Sequence, residues 1–75
     1  MREFVICIDN SNNPASLIVG KVYRVLPDEA GALLGLLRVR DEDTSEPVGY
    51  LYPTAMFVLI DLPDVAARAL MAVGN

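Results

Sequence analysis

Few side chains in this sequence could carry out catalysis. There is no histidine, so general acid and base roles would fall to carboxylates, lysines or tyrosines. The one cysteine, Cys7, lies within an apolar run, where a thiol usually packs as a small buried side chain. Gly31 and Gly35 lie four residues apart, but no Gly-Lys-Ser/Thr follows to form a phosphate-binding loop. We therefore expect no catalytic residues and predict that the protein is not an enzyme.

Two polar segments bring oxygen-bearing side chains close together, as calcium-binding loops do. One carries Asp41, Asp43 and Glu46, and the other carries Asp9, Ser11 and Asn13. An EF-hand loop needs glycine at its sixth position and glutamate at its twelfth. Glu46 and Pro14 stand at the glycine positions, so both segments are expected to be solvated loops. Cysteine–histidine zinc sites are excluded by composition, and we expect no metal and no cofactor.

The aromatic side chains offer a more plausible binding surface. Tyr50 and Tyr52 lie two residues apart in a predicted strand and therefore share one face, so both should be buried or both exposed. Asp41, Glu42 and Asp43 precede that strand in an acidic loop. If the tyrosines are exposed, this loop favours a basic peptide over a nucleic acid, whereas the alternative is that they belong to the core. These five residues form the candidate partner-binding site.

Arg24, Arg38 and Arg40 are the main basic side chains of the central strands. They would form one positive stripe if neighbouring strands present them on the same face. The alternative, which we favour, is that they are ordinary surface partners of nearby acidic residues such as Asp28 and Glu29.

Composition limits the function further. The 75 residues carry 6 basic and 10 acidic side chains, and the net charge of -4 disfavours nucleic acids and anionic membranes as partners. The N-terminal apolar run is too short for a signal peptide and is interrupted by Asp9, and no apolar stretch approaches the length of a transmembrane helix. We expect a soluble, cytoplasmic, single-core protein. A hydrophobic fraction of 53% is high for this size and suggests a homo-oligomer.

Short apolar runs separated by turn-forming residues predict a mainly β fold. The predicted strands cover residues 4–8, 21–26, 34–40, 48–52 and 57–60, with a turn at 27–31, a hairpin loop at 41–47 and a tight turn at 54–56. Strands this short must bend sharply to close a barrel, and the glycines at 20, 35 and 49 are the expected bending points. Residues 1–62 would form the barrel domain.

The last segment, residues 63–75, predicts an apolar α-helix. Asp61 is the expected cap, and alanine and leucine have high helix propensity. A helix with so little polar surface must pack on the barrel or on a partner subunit. Its candidate oligomer interface is formed by Leu62, Ala66, Ala69, Leu70 and Val73.

Several short strings in this sequence occur together in one known family. The strings are Cys7-Ile8-Asp9-Asn10, the run from Leu17 to Tyr23, the acidic hairpin, Tyr52-Pro53 and Phe57. In these the chain resembles a family of small proteins found mainly in bacteriophages and prophages. The resemblance implies a Src-homology-3-like barrel and a phage or prophage origin, and it carries over no functional residue. This chain departs from the family in having Thr44-Ser45 where the hairpin usually has glycine, and in its C-terminal helix.

Two functions follow as expectations. The first is a non-catalytic module that binds a protein partner, with self-association through the C-terminal helix. The alternative is a nucleic-acid- or ribosome-associated barrel of the KOW or Tudor type, which rests on fold analogy and is opposed by the acidic charge.

Overall fold

The structure, a computed structural model, describes residues 3–72. The strands are β1 (Phe4–Cys7), β2 (Val22–Leu26), β3 (Leu36–Arg40), β4 (Tyr50–Pro53) and β5 (Phe57–Ile60). The helices are α1 (Glu29–Leu33) and α2 (Asp64–Ala72), and a single 3-10 turn (Thr54–Met56) lies between β4 and β5.

The five strands form one antiparallel sheet in the order β4-β3-β2-β1-β5. In a flat sheet its two edge strands would lie about 19 Å apart, because four spacings of about 4.8 Å separate them. The 3-10 turn joins these edge strands directly and spans only about 6 Å at its rise of about 2.0 Å per residue. The sheet must therefore curl until its edges approach each other, as in a small Src-homology-3-like barrel. The predicted fold class, mainly β with five short strands and a C-terminal helix, is confirmed.

The core lies on the inner face of the curled sheet, because side chains alternate between the two faces of each strand. Val5, Tyr23 and Val39 are buried there on three adjacent strands. Leu17 is also fully buried although it belongs to the long loop between β1 and β2. The cluster is completed by Cys7, Tyr52, Met56 and Phe57. The loop is therefore part of the core, and its conformation must be held as firmly as that of a strand.

Helix α1 lies where the sequence predicted a turn. Asp28 is its N-cap, and the side-chain Oδ1 of Asp28 accepts a hydrogen bond from the backbone N of Gly31 at 2.7 Å. Such a cap satisfies one of the free N–H groups of the first helical turn. The prediction of a turn was wrong because Gly31 weakened the helix signal, although the cap itself was visible in the sequence.

Strands β3 and β4 each begin two residues later than predicted, at Leu36 and Tyr50. A glycine with positive φ precedes each strand: Gly35 has a φ of 73° and Gly49 a φ of 69°. Because a strand residue has negative φ, these glycines set the strand starts. Pro53 ends β4, a place that proline tolerates because β4 is an edge strand.

Helix α2 begins three residues after Asp61, the predicted cap. The carbonyl oxygen of Pro63 accepts a hydrogen bond from the backbone N of Ala67 at 3.0 Å, so Pro63 holds the cap position. The predicted helix is present, but its start lies further along the chain than the acidic residue suggested.

Replacing Gly49 with alanine should destabilise the barrel much more than the same change at Gly35. Both residues have positive φ, which costs an L-residue about 1–2 kcal/mol. An added Cβ at Gly49 would also overlap the carbonyl oxygen of Val39, whereas nothing lies within 4 Å of a Cβ at Gly35. Urea unfolding should show a loss for Gly49→Ala that exceeds the loss for Gly35→Ala by at least about 1 kcal/mol. Equal losses would contradict the close packing of Gly49 against β3.

Candidate protein-binding site

The acidic loop (residues 41–47) begins with a carboxylate that accepts hydrogen bonds from the protein itself. Asp41 is 7% exposed and Tyr52 is 6% exposed. The hydroxyl of Tyr52 donates a hydrogen bond to Oδ2 of Asp41, and the backbone N of Asp43 donates to Oδ1 at 2.9 Å. Burial, followed by the bond to Asp41, raises the pKa of Tyr52 to about 12. This buried pair joins β3 to β4 and leaves neither group free to bind a partner.

Glu42 is also held within the protein. Its Oε2 accepts one hydrogen bond from the hydroxyl of Tyr23 and one from Nζ of Lys21, both at 2.6 Å. The bond from Lys21 is the largest cause that lowers the pKa of Glu42, with that from Tyr23 next. Burial, followed by the bond to Glu42, raises the pKa of Tyr23 above its ordinary value. Glu42 therefore fastens the β1–β2 loop to the hairpin.

Asp43 and Tyr50 are the exposed members of the candidate site. Tyr50 is 41% exposed, and its hydroxyl donates to Oδ2 of Asp43 at 3.1 Å. The backbone N of Ser45 donates to Oδ1 of Asp43, and hydrogen bonds from Ser45 and Tyr50 lower the pKa of Asp43. The pKa of Tyr50 is raised, first by its hydrogen bond to Asp43 and then by burial and by the charges of Asp43, Glu46 and Asp41. The hydroxyl of Tyr50 thus lies in a region of negative potential.

An open groove of about 370 Å³ lies beside these two residues. Its walls are formed by Asn13, Ser16, Asp43, Tyr50, Leu51 and Tyr52. Asn13 and Ser16 come from the β1–β2 loop, and the sequence did not suggest them for this site. Their position depends on the backbone bond from the N of Glu42 to the O of Ser16 at 2.9 Å, and no local pattern in the sequence signals such a distant contact.

The two tyrosines share a strand face, as predicted, but the expectation that both are buried or both exposed is wrong. Tyr52 lies opposite Leu37, and Tyr50 lies opposite Val39, nearer the β3–β4 hairpin loop. The hydroxyl of Tyr52 is bonded to the buried Asp41, whereas the hydroxyl of Tyr50 is bonded to Asp43, which is exposed. Of the five candidate residues, Tyr50 and Asp43 remain available to a partner, and Asp41, Glu42 and Tyr52 support the groove from within.

The three arginines do lie on one face. Arg24 is directly opposite Arg40 in the pairing of β2 with β3, and Arg38 is two residues from Arg40. Nε of Arg38 donates to Oδ2 of Asp28 at 2.8 Å and fastens α1 to β3. The predicted role as an ordinary surface partner therefore holds for Arg38. Among residues 3–72, no carboxylate lies within 4.0 Å of Arg24 or Arg40, which leaves these two as a positive pair.

The segments that resemble calcium loops form turns closed by their own side chains. Oδ1 of Asp9 accepts from the backbone N of Ser11 at 2.8 Å and from its hydroxyl, and Asp43 makes the same pattern with Ser45. Within the described residues, no group of three or more cysteine or acidic side chains is placed to hold a metal ion. Cys7 is buried, with Sγ 3.4 Å from the carbonyl oxygen of Asp9. Between residues 3 and 72, every helix is too short or too polar to cross a bilayer.

The predicted oligomer interface is divided between two environments. Leu62, Ala66 and Leu70 are half-buried, while Ala69 is exposed, and Val73 lies outside the described residues. Leu62 lines a small cavity of about 100 Å³ together with Phe4 of β1, so this side of the segment faces the barrel. No described residue of α2 is fully buried, and Val65 is 73% exposed.

Comparison of the chain with protein-family models, with curated proteins and with solved structures finds no match. The resemblance to phage-type barrels therefore stays a prediction, and function must be argued from the geometry.

Stability should fall on the alkaline side because of the buried tyrosines. The folded-state pKa of Tyr52, about 12, lies above the ordinary value of 10.0, so the unfolded chain loses this proton first. The contribution to stability is complete below pH about 10 and is lost as the pH rises toward 12. The free energy of unfolding, measured from about pH 8 to about pH 12, should show this loss. Tyr52→Phe should reduce the loss more than Tyr50→Phe does. A slope unchanged in Tyr52→Phe would contradict the buried bond to Asp41.

Proposed function

We propose that this protein is a non-catalytic interaction module that binds a basic segment of a protein partner in the groove beside Tyr50. The proposal places it in the cytoplasm and, following the resemblance, among phage or prophage proteins. The observation that carries the proposal is the open groove in which an exposed tyrosine stands among carboxylates. Tyr52, Asp41 and Glu42 serve this site by holding its walls.

The chemistry of the groove suits arginine or lysine side chains. Asp43 offers a carboxylate at the rim, and the charges of Glu46 and Asp41 act on the hydroxyl of Tyr50 beside it. A cation over an exposed aromatic ring adds about 0.5–1 kcal/mol, and each exposed ion pair adds at most about 1 kcal/mol. Two or three such contacts supply at most about 3 kcal/mol, which corresponds to a dissociation constant in the millimolar range, as for weak transient interaction modules.

Asp43→Asn and Glu46→Gln should each weaken the binding of a labelled peptide of alternating arginine and serine by roughly two- to fivefold. Glu29→Gln is the matched control, because it removes the same charge from α1, at the far end of the β2–β3 pair. Amide chemical shifts should move at Asn13, Ser16 and Tyr50. Equal weakening by all three variants, with shifts spread over the surface, would show a general charge effect and refute the groove.

The proposal extends to self-association through the outer side of α2. Val65 and Ala69 are exposed on this helix, while the side that carries Ala66 and Leu70 is half-buried. An apolar helix side left in water favours a second apolar surface, and another copy of the same chain would provide one.

Light scattering across a concentration series should show an average mass above 8.2 kDa that rises with concentration. Val65→Lys should return the chain to the monomer mass, because it introduces a charge into the contact. Leu33→Lys serves as the control, since Leu33 is equally apolar and exposed but lies on α1. A full-length chain that remains monomeric at every concentration would refute self-association.

A further inference from the structure

Two arginines stand directly opposite each other on the outer face of the sheet. Arg24 of β2 pairs with Arg40 of β3 in register, and Cβ atoms in such antiparallel pairs lie about 4.5–5.5 Å apart. Like charges at this separation repel each other, which destabilises the sheet. Although the chain has ten acidic side chains, the residue opposite each of these arginines in the β2–β3 pairing is the other arginine.

The pair differs from the other two basic side chains on or beside β2 and β3. Lys21 is bonded to Glu42, and Arg38 is bonded to Asp28. Across residues 3–72, Arg24 and Arg40 have no carboxylate within ion-pair distance. Nε of Arg24 is also buried without a hydrogen-bond acceptor, an arrangement that folded proteins rarely tolerate. The repulsion would be relieved by one oxyanion placed between the two guanidinium groups.

We propose that Arg24 and Arg40 form a receptor for a carboxylate group presented by an acidic segment of a protein partner. A guanidinium matches the planar carboxylate with two parallel hydrogen bonds, and a second guanidinium neutralises the remaining charge. The buried Phe4 lies opposite Arg24 on the other side, and a neighbouring apolar side chain lowers the local dielectric, which strengthens such bonds.

A nucleic acid fits these observations less well. Proteins that bind duplexes commonly neutralise about six to ten phosphates, whereas this face offers two unpaired cations. The net charge of -4 opposes a long polyanion more strongly than it opposes one short acidic segment.

The receptor is independent of the groove beside Tyr50. Val39 lies opposite Tyr50, and the neighbouring Arg40 projects from the other face of the same strand. The two surfaces also differ in the sign of their charge, so either can fail its test without affecting the other.

The test uses the full chain, a labelled hexaglutamate peptide at low salt, and the variants Arg24→Gln and Arg40→Gln. Each should weaken binding by about tenfold or more, because each removes a charge-assisted bond to the carboxylate. Arg68→Gln is the matched control, since Arg68 is an exposed arginine of α2, and it should change affinity less than about twofold. Amide shifts of β2 and β3 should move on titration.

Three results would overturn the proposal: no binding at millimolar peptide, equal weakening by all three variants, or tighter binding of a single-stranded oligonucleotide than of the peptide. Unfolding of the free variants gives a second measurement. Arg24→Gln should leave stability unchanged or raise it, because it removes the repulsion and the unbonded Nε. A large loss of stability would show that Arg24 is a structural residue and would also overturn the receptor.

Discussion

The structure depends on one set of hydrogen bonds that fastens the long β1–β2 loop to the β3–β4 hairpin. The hydroxyl of Tyr23 accepts from the backbone N of Ile18 at 2.8 Å and donates to Glu42, whose own N bonds to the carbonyl of Ser16. These bonds hold Leu17 over the core, where it is fully buried. A barrel of 75 residues has few apolar side chains to spare, so the loop has to serve as one of its walls.

The acidic loop combines two tasks that the sequence does not distinguish. Asp41 is buried and Glu42 is half-buried, and both accept hydrogen bonds from tyrosines, whereas Asp43 meets Tyr50 at the surface. The inward bonds hold β3, β4 and the β1–β2 loop in place, and those elements form the groove. Adjacent carboxylates therefore differ in role: the first two join elements of the fold, and the third lies exposed at the groove.

The sequence was a good guide to the strands because β-branched runs and turn formers are local signals. The same holds for α2, whose alanine and leucine content outweighs the error at Asp61. Features that depend on distant residues could not be predicted. The burial of Leu17, the different exposure of Tyr50 and Tyr52, and the pairing of Arg24 with Arg40 are decided by how the curled sheet brings separate segments together.

The pairing of β1 with β5 has a consequence for how the chain can be connected. Phe4 lies directly opposite Ile60, so the first and last strands of the barrel start and finish side by side. A short linker in place of α2 could join these ends into a continuous backbone, and new termini could be opened in the exposed part of the acidic loop, at Thr44. Every strand pair would be retained in such a circular permutant. The barrel is therefore defined by which strands are neighbours in the sheet, and not by the order in which the strands are synthesised.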